Sequence, residues 1–537
     1  MALGNPLPLL LSTVGGYEIE RSLRFNSADT TSLTRTPSSN GNKRTWTFSG
    51  WVKRSKLGAI QTFFSAGSDN PDVIIKFTPD DEFEVSRYGG SYQNQVTSAQ
   101  KFRDASGWYH LVAAVDTTQS TASNRVRMYV NGTEITSFTN SSYPSEDYEY
   151  PEINDTGFSN KIGRHGSTSQ NFEGYLTELN FIDGTQLTPS SFGETNEDTG
   201  QWVPKKYAGS YGTNGFHLNF SDNSGTTATT LGKDSSSNGN NFTPNNFSVA
   251  AGVGNDSVID TPTNNYPTLN SVDGYSTLSY EPSNGGLDYN ISDTSAIPYS
   301  TIAIPTSGKW YAEFTATDIE TAAFGFKPID DFGLFSEGYL YAYHGKIWKN
   351  NSETQTVAAI SDGDIIGVAV DRSAQTVQFS KNGTNIGNTE ALVAGTEYKY
   401  WIARWASSGG NPQGSVNFGQ RAFSHQPTGF VGLCTSEVPE PTILKGSDHF
   451  NTVLYTGDDA STHAITGVGF APNLIWVKRR SQSGNHFLVD SVRGGTKYLS
   501  SESRDAETND NTVTKSLDAD GFTVGSYDGI NGDTKTF

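Results

Sequence analysis

One pattern occurs twice in this chain and restricts its fold more than any other feature: a long apolar run ending in Val-Asp, a polar turn, an alternating run, then Asn-Gly-Thr. The first copy is Trp108-Tyr109-His110-Leu111-Val112-Ala113-Ala114-Val115-Asp116, followed by Arg125-Val126-Arg127-Met128-Tyr129-Val130 and Asn131-Gly132-Thr133. The second is Asp364-Ile365-Ile366-Gly367-Val368-Ala369-Val370-Asp371, then Thr376-Val377-Gln378-Phe379-Ser380-Lys381 and Asn382-Gly383-Thr384. A run that is apolar at nearly every position predicts a strand buried on both faces. Val126, Met128 and Val130 fall on one face and Arg125, Arg127 and Tyr129 on the other, the period of a half-buried strand. Asn-Gly between such runs predicts a hairpin, because both residues tolerate positive φ. Two copies predict two antiparallel β-sandwiches in tandem.

At 537 residues the chain exceeds what one core supports, and length alone suggests about three domains. No window of ten residues carries sustained helical periodicity, so the prediction is all-β. The net charge of −20, from 37 basic and 57 acidic residues, argues against nucleic acid and anionic membrane as partners. Cys434 is the one cysteine; no intrachain disulfide can form, and the residue reads as a small buried hydrophobe. Residues 1–16 contain Leu7-Pro8-Leu9-Leu10-Leu11 with no basic residue before it. They fit neither a signal peptide nor a membrane span, and read as a docking peptide for a larger assembly or as a strand or frayed end of the first sheet.

Residues 17–220 hold the first sandwich, with short strands at Ser22–Phe25, Trp46–Arg54, Thr62–Gly67, Val73–Phe77, Glu82–Val85 and Gly174–Phe181, a jelly-roll spacing. Phe48-Ser49-Gly50-Trp51, Gly107-Trp108-Tyr109-His110-Leu111-Val112, Met128-Tyr129-Val130-Asn131-Gly132, Lys161-Ile162-Gly163 and Phe172-Glu173-Gly174-Tyr175-Leu176 resemble the laminin-G-like or concanavalin A-like lectin family in order. That resemblance implies a module that binds glycans or proteins, or acts as a spacer. Residues 221–268 turn to Ser, Thr, Asn and Gly and cannot bury a core of their own; Phe242, Phe247 and Val249 are the positions that would pin such a strap.

Residues 269–436 hold the second sandwich. Gly308-Lys309-Trp310-Tyr311-Ala312-Glu313-Phe314, Phe324-Gly325-Phe326, Tyr339-Leu340-Tyr341-Ala342-Tyr343-His344-Gly345-Lys346-Ile347-Trp348, the second Val-Asp copy and Val416-Asn417-Phe418-Gly419-Gln420-Arg421-Ala422-Phe423 resemble the SPRY family. This implies a protein-recognition platform with partners seated on loops at one end. Residues 437–537 read as a smaller β module, with Asn473-Leu474-Ile475-Trp476-Val477-Lys478-Arg479-Arg480 and Asp520-Gly521-Phe522. The order of these modules resembles fibre and appendage proteins of marine bacteriophages.

Candidates for chemistry are sparse. Glycoside cleavage needs two carboxylates flanking the bond; Glu82 with Glu84, and Asp318 with Glu320, are nearest, but Ala316 stands where a glucanase Glu-x-Asp-x-Glu pattern would start, and these acids also fit solvated strand faces. No His-Glu-x-x-His, P-loop or Ser-His-Asp spacing occurs. The laminin-G-like resemblance implies a loop-rim calcium, for which Asp69, Asn70 and Asp72 offer oxygen ligands; the same residues also fit an ordinary solvated loop. Glu146, Tyr148 and Tyr150 interleave acids with aromatics, which suits sugar stacking and an ordinary loop alike. Tyr343, Trp348, Trp405 and Asn411 fall near predicted loops of the second sandwich, the two tryptophans also fitting core positions.

The expectation is therefore a non-enzymatic virion protein, a tail fibre, spike or head appendage, that attaches to host-surface glycan or protein by multivalent weak binding. It would join other virion proteins through its N-terminal segment and form a homo-oligomer, by analogy a trimer. A decoration or joining protein with a structural role is the alternative, and a polysaccharide-degrading enzyme a third reading.

Overall fold

The computed structural model describes residues 16–166, 170–270, 282–292, 298–319, 321–330, 338–405 and 409–537; the proposed docking peptide falls almost wholly outside them. The all-β expectation holds. The chain divides into two compact units, one running to residue 195 and from 202 to 440, the other comprising 196–201 and 441–537.

Both Asn-Gly segments are tight hairpins. Asn131 and Gly132 have φ of 46° and 81°, Asn382 and Gly383 of 49° and 78°, with Val130 facing Thr133 and Lys381 facing Thr384 across the turns. The asparagine does more than accept the backbone. Asn131 donates its N–H to the His110 carbonyl at 2.9 Å and takes the His110 N–H on its Oδ1 at 2.8 Å. Asn382 repeats both bonds on Ile365, each at 2.8 Å. The side chain thus supplies a ladder acceptor that the turning backbone cannot.

In the first sandwich one sheet runs Thr133–Glu134, Val126–Val130, Tyr109–Asp116, Thr45–Arg54, Gly174–Asp183, Ser22–Phe25 and Ser257–Val258, and Phe216–Leu218 also pairs with Gly174–Asp183. The facing sheet runs Phe138–Ser142, Tyr92–Lys101, Glu82–Tyr88, Asp72–Phe77, Gln61–Gly67, Ser159–Ile162, Ser32–Arg35 and Thr243–Asn245. Trp46, Phe48 and Val52 alternate inward along their strand into a phenylalanine-rich core with Phe63, Phe64, Phe77, Phe83 and Phe181. Trp51, on the opposite face, stacks on His110 at 5.0 Å.

The polar strap is built into this sandwich. Thr243–Asn245 forms an edge strand of one sheet and Ser257–Val258 of the other, while Leu231, Phe242 and Phe247 enter the core and Val249 packs against it. Few apolar residues suffice because the strap borrows a finished core and satisfies its backbone on existing edges.

The second sandwich has one sheet in the order Asp288–Asn290, Gln413–Asn417, Lys309–Asp318, Ile365–Asp371, Thr376–Lys381 and Thr384–Ala391, with Val431–Gly432 alongside Lys309–Asp318 in parallel. The other runs Ser352–Thr356, Lys346–Lys349, Tyr339–Ala342, Ala322–Pro328 and Tyr398–Arg404. Phe314, Phe324, Phe326, Tyr341, Val368, Phe379 and Tyr400 fill the space between them. The second unit contains a three-stranded sheet (His463–Thr466, Gly521–Val524, Thr514–Asp518) and a four-stranded one (Leu474–Lys478, His486–Asp490, Lys497–Ser500, Thr508–Asn509) around Phe487, Val489, Phe522 and Phe537.

Candidate functional site

The five-stranded sheet of the second sandwich is apolar on both faces. Tyr339 and Tyr341 point into the core, and the intervening Leu340 and Ala342 belong to a separate cluster on the other face with Tyr299, Ala323, Trp401 and Ala403. Ala342, Ala323 and Ala403 are direct neighbours across three adjacent strands. This row of methyl groups leaves room for large rings, and Trp348 and Trp405, both half-buried, pack against it with ring centroids 4.8 Å apart at 47°. His344 lies 5.9 Å from Trp405 and 4.8 Å from Tyr343.

Asn411 is tied instead to Arg404, which strand alternation places on the inner face with Tyr400 and Ile402. The Arg404 guanidinium, one residue before Trp405, donates to Asn411 Oδ1 and to the Gly409 carbonyl, each at 3.0 Å. Burial and the nearby Lys346 ammonium hold the His344 imidazole below its usual range, hence neutral near pH 7. Its Nδ1 and the Trp348 Nε1 have no hydrogen-bond partner among the described residues. Trp348 and Trp405 are therefore brought together with His344 beside them, whereas Tyr343 packs against the inner core and Asn411 is held by Arg404. The chemistry of the outer patch is a tilted pair of indoles with an imidazole at the rim, suited to stacking an apolar face and bonding a polar edge.

The other candidates fare differently. Glu146 is exposed and meets Arg125 at 3.4 Å. Tyr148 is half-buried, edge-on to Tyr150 at 5.1 Å. Tyr150 is wholly buried, edge-on to Trp46 at 5.7 Å, and its hydroxyl donates to Asn94 Oδ1; it is a core residue and cannot stack a ligand. Glu-Asp-Tyr-Glu-Tyr carries no periodicity that shows which tyrosine turns inward.

At the proposed calcium loop of Asp69, Asn70 and Asp72, the Asp72 carboxylate is buried and takes His165 Nε2 at 2.6 Å and the Asp69 N–H at 3.1 Å. Asp69 Oδ1 accepts from Lys161 Nζ at 2.9 Å. No group of three or more His, Cys, Asp or Glu side chains placed to hold a metal occurs among the described residues. The loop's carboxylates serve basic partners about ninety residues away, which corrects the reading of a ligand set. Glu84 is likewise committed, accepting from Ser86, Gln95 and Thr97 with Lys76 at 3.2 Å, and Glu82 pairs with Lys101 at 2.9 Å. Glu320 lies outside the described residues.

Sequence reading missed two concavities. The second unit has an apolar groove of about 770 Å³ lined by Phe450, Leu454, Leu474, Trp476 and Phe537 among others. Trp476 is 65% exposed and its Nε1 donates to His486 Nδ1; the signal is the alternation Leu474-Ile475-Trp476-Val477, which is apolar on both faces, with Leu474 and Trp476 exposed among the described residues. The other concavity, about 440 Å³, lies where the strap meets the second sandwich.

Comparison with known proteins gives matches over three stretches of the chain. Residues 27–191 match the family model described as the concanavalin A-like lectin/glucanases superfamily, and residues 324–421 match the SPRY domain. The chain carries a lectin-like and a SPRY domain. Residues 445–537 match a domain of unknown function. The SPRY domain of human HERC1 is 22% identical, with a TM-score of 0.22, covering 26% of this chain and 91% of that one. A heptameric SAP-like pentraxin from Limulus polyphemus is 14% identical, with a TM-score of 0.24, covering 32% and 80%. A Bacteroides ovatus protein described as carbohydrate binding is 16% identical, with a TM-score of 0.31, covering 43% and 59%. Among curated proteins, the ATP-dependent RNA helicase Ddx1 of Drosophila melanogaster is 27% identical over 184 residues, 33% of this chain and 23% of the relative. The chain thus spans less than a quarter of that relative's length.

Proposed function

We propose that this chain is an attachment protein of a virion, a fibre, spike or head appendage, that binds host-surface glycan or protein through several weak sites. The observation that carries the binding reading is the tilted Trp348–Trp405 pair at 4.8 Å with His344 beside it. Lectin-like β-sandwich architecture and an acidic, Asn/Ser-rich chain with tandem display modules support it. Single aromatic platforms bind sugars feebly, and copies on a trimeric fibre would raise avidity by orders of magnitude. Residues 1–16 would join the chain to the particle.

The test is binding of the purified full chain to a glycan array and to intact host cells, compared with Trp348→Ala and Trp405→Ala. The expected result is loss of at least tenfold in apparent affinity with unchanged melting temperature. Unimpaired binding by both variants would remove this site from the reading. Incorporation into particles with no effect of deletion on host range would favour a decoration role.

A further inference from the structure

We propose that the cleft between the strap and the second sandwich binds the acidic group, carboxylate or sulfate ester, of a saccharide. Arg21, Asn255, Tyr266, Gln420, Arg421 and Phe423 line its 440 Å³, room for one or two sugar rings.

Buried Arg35 and Arg372 bond neutral oxygens, while several buried cations of this unit face carboxylates: Arg24 faces Asp256 at 3.0 Å, Lys53 faces Asp260 at 2.7 Å, Arg54 faces Asp81 at 3.0 Å and Lys76 faces Glu84 at 3.2 Å. Arg421, only 5% exposed, donates instead to the Val253 carbonyl, Ser415 Oγ and the Val416 carbonyl, all neutral. Arg21 has one long bond, 3.4 Å to the Ser257 carbonyl, and no carboxylate among the described residues. Burial, and then the like charge of Arg24, pull the Arg421 guanidinium down to about 10 against the weaker opposing charges of Tyr175, Asp288 and Asp256, and a bound anion would relieve part of that cost.

Gln420 gives a second, independent sign. It is 1% exposed, its Oε1 is taken by the Phe418 N–H at 2.8 Å, and its Nε2 has no acceptor among the described residues. A buried amide donor without a partner is costly and marks a place for an incoming oxygen. Phe423 supplies ring surface for the sugar's C–H face, Asn255 an amide for hydroxyls. The acid in the lining, Glu437, is exposed, whereas Arg421 is buried.

The experiment is calorimetric titration of the full chain with glucuronate, a glucosamine 6-sulfate, glucose, and inorganic sulfate at matched ionic strength. The expected result is binding of one or both acidic sugars at least tenfold tighter than glucose and than inorganic sulfate, with the preferred acid identifying the group recognised. Arg21→Gln, at a half-exposed position, should weaken it tenfold or more, and Arg421→Lys should do the same if it folds. Trp348→Ala should leave it unchanged, which separates this cleft from the indole site. Equal affinity for glucose, binding of inorganic sulfate as tight as the sugars, no binding of either acid at millimolar concentration, or an unaffected Arg21→Gln variant would each overturn the proposal.

Discussion

Lys53 and Asp260 lie 2.7 Å apart with both side chains fully buried, the lysine on a central strand of the first sandwich and the aspartate on the strap. Lys53 Nζ also donates to Asn265 Oδ1 and the Tyr266 carbonyl, and Asp260 Oδ1 accepts from Trp108 Nε1 and the Tyr266 N–H. Burial pushes the lysine down and the aspartate up, each opposed by the partner's charge. Removing one partner strands the other: Lys53→Met should cost about 3–5 kcal/mol. Lys53→Met with Asp260→Leu should recover part of that in urea unfolding, and a single-variant loss below about 1 kcal/mol would contradict the account.

His110 should make the protein sensitive to mild acid. Trp202 Nε1 donates to its Nδ1 at 3.0 Å, so Nε2 carries the proton and donates to Ser49 Oγ at 2.8 Å. Burial lowers its titration from 6.5 to about 3. The unfolded chain binds the extra proton first, so this contribution is intact above about pH 6.5 and is lost as pH falls towards 3. At pH 5 the loss is about 2 kcal/mol. The melting temperature of His110→Gln should fall less between pH 7.5 and 5 than that of the natural chain; parallel curves would refute this.

The two hairpin glycines should differ in tolerance. Both have φ near 80°, but a Cβ on Gly132 would lie 2.5 Å from the Trp202 ring, whereas one on Gly383 meets the half-exposed His425 imidazole at 2.8 Å. Gly383→Ala should cost about 1–2 kcal/mol, mostly from backbone strain, as the half-exposed imidazole can turn aside. Gly132→Ala should cost roughly 1–3 kcal/mol more by displacing the indole that bonds His110. Equal costs in thermal unfolding would show that Trp202 moves freely.

Calcium should not stabilise the chain through Asp69 and Asp72, whose carboxylates are engaged by Lys161 and His165. Millimolar calcium should leave the melting temperature within about a degree of that in chelator, whereas loop ligands saturated far above their dissociation constant would add a few kcal/mol. A calcium-dependent rise abolished by Asp72→Asn would show that those ion pairs open.

What could be read from the residues was whatever local chemistry determines. Asn131-Gly132 and Asn382-Gly383 specify a turn wherever they stand, and the runs before them specify their strands. Strand order is another matter. Trp348 and Trp405 meet across two intervening strands over Ala342, Ala323 and Ala403, and nothing within either tryptophan's neighbourhood announces that row. Asp69 and Asp72 looked free for the same reason, since Lys161 and His165 reach them through a distant strand pairing. Tyr150 failed because a mixed acidic-aromatic run gives no phase.

The strap carries an implication for how such chains diversify. Because Thr243–Asn245 and Ser257–Val258 finish the lectin-like sheets while Asn265 exchanges hydrogen bonds with Thr435 at the end of the SPRY module, a recombination breakpoint near residue 220 would leave both halves ragged. Exchange of modules between relatives should instead move the two sandwiches as one cassette, with crossovers tolerated beyond Glu440.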